Sequence, residues 1–148
     1  MITFRDITPA DHDLILPMLA DFYRTDAVDH EVPVEIMERS FAACADPDEP
    51  LLRGVLVSRG EEPVGYVYLT FCYSAEGGGR CVFIEEIFLK EQFRGMGLGG
   101  EIMAWMEKEY PAVRRFRLEL TQVNKSAIRL YEKSGYKYLK YDQMVFDK

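Results

Sequence analysis

Gln92-Phe93-Arg94-Gly95-Met96-Gly97-Leu98-Gly99-Gly100 lies between an apolar run at residues 83–89 and a helical pattern that continues through Trp105 to Glu109. A strand, a glycine turn and a helix in that order form an anion-binding helix start. Glycine at alternate positions lets the backbone take conformations closed to other residues and bring its N–H groups against a ligand. The first turn of a helix has unpaired N–H donors and the positive end of the macrodipole, so a phosphate or pyrophosphate is the natural guest. Arg94 adds a forked cation at the rim.

Upstream, residues 51–58 and 64–73 read as strands joined by Arg59-Gly60-Glu61-Glu62-Pro63, a link of hairpin length. Ser74-Ala75-Glu76-Gly77-Gly78-Gly79 is equally short and returns the chain antiparallel into residues 80–89. The helix after Gly100 is a crossover that lays residues 113–121 parallel to that strand. At the amino end, residues 2–7 read as a strand. Thr8-Pro9-Ala10-Asp11 then offers an N-cap residue, proline at the first helical position and an acid three residues after the cap, so a helix starts there. Ile15, Leu19, Phe22 and Tyr23 follow the helical period, but Pro17 lies inside it and lacks a donor, which predicts a kink or break near residues 13–17. The acidic, aromatic stretch 21–31 leads through Pro33 into a second helix with Ile36, Met37, Ser40 and Phe41 on one side, ended by Asp46-Pro47-Asp48-Glu49-Pro50. A last helix at 126–133 stops at Ser134-Gly135, where glycine suits the left-handed cap. Residues 136–140 and 143–146 read as two more strands. The whole is a mixed α/β (α+β) pattern, and 148 residues, 48% of them apolar, are expected to bury one core as one domain over 1–148.

No apolar run approaches the ~20 residues a bilayer span needs, and residues 1–6 lack the basic and apolar regions of a secretory leader. A cytoplasmic protein without a membrane partner is the expectation. Cys44, Cys72 and Cys81 are odd in number and show no CxxC spacing, so neither a disulfide framework nor a metal site is indicated. The formal charge of −7 argues against nucleic acid as a partner and fits a cationic small substrate, although negative charge also serves solubility.

Two nucleotide motifs compete for the glycine turn. Gly95-Met96-Gly97-Leu98-Gly99-Gly100 satisfies GxGxxG, and Glu119 follows at the distance a dinucleotide-binding fold uses for its ribose acid. Such a site opens the first unit of a long domain, however, and too few of the 148 residues follow Gly100 for the remaining parallel strands. No Lys-Ser or Lys-Thr follows the glycines, which removes the Walker P-loop.

The whole chain resembles the GNAT acetyltransferase superfamily, most strongly over residues 83–136. Gln92-Phe93-Arg94-Gly95-Met96-Gly97 is similar to the family pattern of Gln or Arg, two residues, glycine, any residue, then glycine or alanine. Asn124-Lys125-Ser126-Ala127-Ile128-Arg129-Leu130-Tyr131-Glu132-Lys133-Ser134-Gly135-Tyr136 resembles the second motif, in which asparagine, alanine, tyrosine, glycine and an aromatic recur at this spacing. The resemblance implies a mostly antiparallel sheet flanked by helices, whose central parallel strands splay where acetyl-CoA inserts. It also implies that acetyl-CoA is the co-substrate with no metal, that the N–H groups of Arg94, Gly95, Met96, Gly97, Leu98, Gly99 and Gly100 hold the pyrophosphate, and that backbone at Ile87, Phe88 and Leu89 pairs with the pantetheine arm. The Leu89 N–H then polarises the acetyl carbonyl, and Asn124 contacts CoA. Tyr131, about two turns beyond Asn124, stands where family members place a tyrosine as general acid for the leaving thiolate. Homodimers are common in the family.

A base is also needed, and neither His12 nor His30 lies near a motif. Glu85 and Glu86 are adjacent carboxylates within an apolar strand, where an unpaired charge is costly. Strand alternation puts Glu85 in phase with Ile87 and Leu89. Glu85-Glu86-Ile87-Phe88 is also similar to the stretch before the glycine turn of spermidine/spermine acetyltransferases, whose glutamate matches Glu85. Glu85 is therefore expected to be the base, through water, and Glu86 to pair with a cation. In that subfamily an aromatic–acid pair at the end of the first helix meets the polyamine. Phe22 and Tyr23 match its place, and the acid is absent there. The acceptor is expected to be a small-molecule amine or a protein amino group. The alternative is a non-catalytic CoA-binding sensor or interaction module, which needs neither Glu85 nor Tyr131.

Overall fold

The computed structural model describes residues 1–148. Its centre is a five-stranded sheet in the order β1-β2-β3-β4-β5, with β1 at Thr3–Asp6, β2 at Leu52–Arg59, β3 at Glu62–Ser74, β4 at Gly79–Leu89 and β5 at Arg115–Leu118. The two short links expected to return the chain do so: β2, β3 and β4 form an antiparallel meander. The helix after the glycine turn, α3 at Leu98–Glu109, is the crossover that brings β5 parallel to β4.

Alternation along the strands divides the core between the two faces of the sheet. Val55, Val57, Val67, Leu69, Val82 and Ile84 point to one face and pack on Ile102, Met103 and Met106 of α3. Leu56, Tyr66, Tyr68 and Phe88 point to the other, beneath α1 at His12–Phe22 and α2 at Val34–Cys44. Ile15, Met18, Leu19 and Phe22 form the buried stripe of α1, and Met37, Phe41 and Cys44 that of α2. The last helix, α4 at Lys125–Lys133, lays Leu130 and Tyr131 beside α3 on the first face.

Three expectations change. A single 3-10 turn, Pro9–Asp11, precedes α1, which then runs unbroken through Pro17. The lost donor is the partner of the Asp13 carbonyl. Pro17 and Asp13 are both exposed, so water can take up that carbonyl and the helix continues. The chain beyond Gly135 forms no strand, and Tyr138, Leu139, Tyr141, Met144, Val145 and Phe146 are exposed; alternating sequence makes a strand only where an edge pairs with it. The third change is a bulge in β4, which alters the site.

The first helix entry is fixed by Asp11. Its carboxylate accepts from the Thr8 N–H at 2.8 Å and takes both arms of Arg5 at 2.8 and 2.6 Å. The Arg5 guanidinium, then the Thr8 donors, hold this nearly buried carboxyl well below the usual carboxylate range.

Candidate active site

Parallel pairing between β4 and β5 stops at Ile84 with Leu118, while β4 runs on to Leu89. Residues 85–89 therefore have β3 on one side and an open gap on the other. The Lys90 N–H donates to the Val64 carbonyl at 2.9 Å, and donors alternate sides along an antiparallel ladder. Alternation turns the N–H groups of Ile87 and Leu89 away from β3, into the gap.

The glycine turn closes one end of that gap. Gly95 has φ +75° and Gly97, the residue before α3, has φ +83°, the left-handed region that favours glycine. The N–H groups of Gly95, Met96, Gly97, Leu98 and Gly99 find no backbone acceptor, which leaves a concave row of donors at the positive end of α3. Gly99 has a further task, because a Cβ there would lie 2.8 Å from the Leu130 side chain, where α4 rests on α3. Arg94 does more than stand at the rim: its Nε donates to the Leu89 carbonyl at 2.8 Å, with the guanidinium 5.7 Å from the Phe88 ring centre.

From the other side α4 brings Asn124 and Tyr131. The Asn124 side-chain oxygen caps the helix by accepting from the Ala127 N–H at 3.2 Å and from the Ser126 hydroxyl at 3.1 Å, leaving its amide nitrogen for a ligand. Burial alone pushes the Tyr131 phenol up to about 12, so it holds its proton at neutral pH.

These elements enclose a cleft of about 690 Å³. Of the residues singled out in the sequence, it is lined by Ile87, Phe88 and Leu89 of β4, by Arg94, Gly95, Gly97, Gly99 and Gly100 of the turn, by Asn124 and Tyr131 of α4, and by Phe22. The side chain of Met96 is exposed and that of Leu98 is buried in the core, so only their backbone faces an anion. A larger groove of about 740 Å³ runs between β5 and the chain after Gly135; Tyr131 is on its wall, but it meets no residue of the glycine turn.

Glu85, Glu86 and Tyr23 stand beside the cleft, and their arrangement departs from strict alternation. Leu69 pairs with Ile84 and Tyr68 with Glu86, so Glu85 is an extra residue in β4 with no partner, a β-bulge. Ile84, Ile87 and Leu89 all pack with the α3 face, whereas Glu85 turns to the opposite face. It is exposed there and accepts from the Thr70 hydroxyl at 2.7 Å. The phase that grouped Glu85 with Ile87 and Leu89 is thus broken by the bulge. Glu86 is buried and meets no cation. It accepts instead from the Tyr23 and Tyr66 hydroxyls, each at 2.5 Å. Burial raises its carboxyl above the ordinary range, the two phenols draw it back, and the neighbouring Glu85 charge raises it further. Burial beside Glu86 also pushes both phenols upward, so they remain donors.

The residues after α1 complete one wall. Arg24, Thr25, Asp26 and Ala27 line the cleft, and the Thr121 hydroxyl, just past β5, donates to the Asp26 carbonyl. The link between α1 and α2 is thereby tied across the gap to the link between β5 and α4. Nothing in the sequence marked Thr25, Ala27 or Thr121; only the fold brings them together.

A gap between parallel strands, a row of unpaired N–H groups at a helix start and a protonated phenol on a third element together form the candidate site. Residues 15–136 match the profile of the acetyltransferase (GNAT) family, and the chain belongs to that family. It is an N-acetyltransferase. Among curated relatives, the thialysine N-epsilon-acetyltransferase of Mus musculus is 27% identical over 141 residues, which is 88% of this chain and 81% of the relative. The crystal structure of a possible acetyltransferase from Clostridium difficile 630 superposes with a TM-score of 0.82 at 15% identity, over 100% of this chain and 98% of that one. An aminoglycoside N-acetyltransferase solved with a CoA bisubstrate analogue gives 0.77 at 12% identity, over 100% and 99%. No helix is long and apolar enough to cross a membrane.

Proposed function

We propose that this enzyme moves the acetyl group of acetyl-CoA directly to a primary amine, with both substrates bound at once. The observation that carries the reading is the gap along residues 85–89, which opens two backbone donors beside both the glycine turn and Tyr131. The CoA pyrophosphate takes the unpaired N–H groups of the turn, and the pantetheine arm continues the sheet against Ile87, Phe88 and Leu89, pairing as an edge strand does. A solved relative of the same fold carries a CoA-based bisubstrate analogue, which supports acetyl-CoA as the donor.

In the reaction, a protonated amine loses a proton through water to Glu85, which is exposed on the acceptor side of β4. The amine nitrogen attacks the acetyl carbon, and the Leu89 N–H stabilises the oxyanion that forms. Collapse breaks the C–S bond, the nitrogen gives up its second proton to solvent, the thiolate takes the Tyr131 proton, and the phenolate is reprotonated from solvent. Glu86 takes no part in the transfer: it fixes Tyr23, and through it the end of α1, where Phe22 meets the cleft. The acceptor is a terminal amine on a short aliphatic chain. The mouse relative is named for acetylation at an N-epsilon position, and the exposed carboxylate of Glu85 favours a cation on this side.

The test is thiol release from acetyl-CoA over a panel of diamines, lysine analogues, aminoglycosides and peptides. Amine-stimulated release with matching N-acetyl product is expected for the aliphatic amines. Tyr131→Phe lowers turnover by roughly a hundredfold or more with little change in acetyl-CoA affinity. Equal turnover removes Tyr131 from the mechanism, and binding of acetyl-CoA without any stimulated release leaves only a sensor.

A further inference from the structure

Cys72 and Cys81 stand on either side of the β3–β4 turn, and the strand register makes them directly opposite partners. Phe71 and Val82 point to the α3 face, so alternation turns both thiols to the other face. The Arg114 N–H donates to the Arg80 carbonyl at 2.9 Å, so the next residue, Cys81, turns its backbone groups to β3 and exchanges ladder hydrogen bonds with Cys72. Facing residues of that kind have Cα atoms about 5.5 Å apart, inside the span that a disulfide bridges. Both thiols are free. Their surroundings differ: Cys72 is exposed, whereas Cys81 is buried yet belongs to neither apolar cluster. Burial, then the neighbouring Cys72 thiol, pushes the Cys81 thiol up to about 11, and the Arg117 and Arg115 cations draw it back. Arg115 is the partner of Cys81 in β5. The third thiol, Cys44, is buried at the end of α2 beside Gly54.

We infer that Cys72 and Cys81 form a reversible two-thiol oxidation site that takes a peroxide as its oxidant. The exposed Cys72 thiolate attacks one oxygen of hydrogen peroxide, the O–O bond breaks, and the leaving hydroxide takes up the proton that Cys72 lost, giving water and a sulfenic acid. The Cys81 sulfur then attacks the Cys72 sulfur, the S–O bond breaks, and the hydroxyl leaves as water with the Cys81 proton. Two thiols are oxidised to one disulfide and one peroxide is reduced to two waters. Arg115 and Arg117 favour negative charge on sulfur at this place. The hydrogen-bonded pair is the wider of the two facing arrangements, and the bridge is open to solvent on the Cys72 side, so a thiol reductant reopens it. None of these steps draws on the cleft or on acetyl transfer.

The experiment treats the reduced full chain with hydrogen peroxide under native conditions, alkylates the remaining thiols after unfolding, and maps the tryptic peptides by mass spectrometry. Trypsin cuts after Arg80, so a bridge joins two peptides that otherwise separate. The linked pair is expected to replace both single peptides, with Cys44 alkylated, and to disappear when dithiothreitol is added before unfolding. Cys72→Ser, at an exposed position, is expected to leave Cys81 alkylated at the same peroxide dose, because the buried thiol is oxidised only through its neighbour. A wild type in which Cys72 advances to the sulfinic acid while Cys81 stays free overturns the assignment, as does a bridge from Cys72 to a second copy. A Cys72–Cys81 bridge that dithiothreitol cannot open in the folded protein overturns its reversibility.

Discussion

Glu86 is where the chemistry of single residues is least ordinary, because a carboxyl group is buried in an apolar face with only two phenols for company. Burial is the largest influence and raises its affinity for a proton above that in the unfolded chain. Across the interval above the ordinary carboxylate value the folded state binds more protons than the unfolded state, so stability is greatest below that interval and declines as pH rises through it. Glu86→Gln removes the titration while keeping an oxygen that can accept from one phenol. Urea denaturation at a series of pH values is expected to show the wild type losing stability relative to the variant over the window that runs up from the ordinary carboxylate range. Parallel profiles would mean that Glu86 does not titrate in that window. The same residue supplies the acid that the sequence lacks beside Phe22 and Tyr23. The partner of Tyr23 comes from β4, and no local pattern announces a contact across so many residues.

At the scale of elements, the β3–β4 pairing positions the donors of the gap, and Gly65 sets how closely the two strands approach. Gly65 lies opposite Leu89, and a Cβ there would fall 2.0 Å from the Phe88 carbonyl oxygen, a clash with backbone rather than with a movable side chain. Gly65→Ala must therefore push β4 outward beneath Ile87 and Leu89. We expect a loss of about 1–3 kcal/mol in stability and a larger loss in acetyl-CoA affinity than in any variant of similar stability elsewhere in the sheet, such as Val57→Ala. Wild-type affinity in the Gly65→Ala variant would show that the β4 backbone does not hold the ligand. Element order, the antiparallel meander and the parallel crossover were legible because link length dictates them. The bulge is legible too: Ile84-Glu85-Glu86-Ile87 places two apolar residues three apart in a strand, and both reach the same face only if one residue is extra. Pro17 misled because its effect depends on whether the orphaned carbonyl can reach water, which is a property of the fold. The strands expected after Gly135 failed for a similar reason, since pairing needs an available edge as well as a suitable sequence.

The molecule as a whole is two apolar clusters on opposite faces of one sheet, and the cleft opens where that sheet parts. Along residues 85–89 the sheet loses the ladder that would otherwise join β4 to β5, and only the Thr121–Asp26 contact ties the links across the gap. A donor that lies between β4 and α4 and is gripped by the start of α3 supplies the missing connection in the folded state alone, so its binding energy adds to stability by mass action. At a hundredfold excess over its dissociation constant the gain is about 2.7 kcal/mol, which for a chain of this size corresponds to a rise of roughly 5–10 °C in melting temperature. Acetyl-CoA is expected to produce that rise in a thermal unfolding scan, whereas NAD at the same concentration leaves the transition where it is. The comparison separates two readings of one glycine pattern. GxGxxG alone fits a dinucleotide as well as CoA, but a dinucleotide site requires further parallel strands beyond the turn, and here β5 is the only one. A shift with NAD and none with acetyl-CoA would mean that the gap between β4 and β5 does not hold a pantetheine arm.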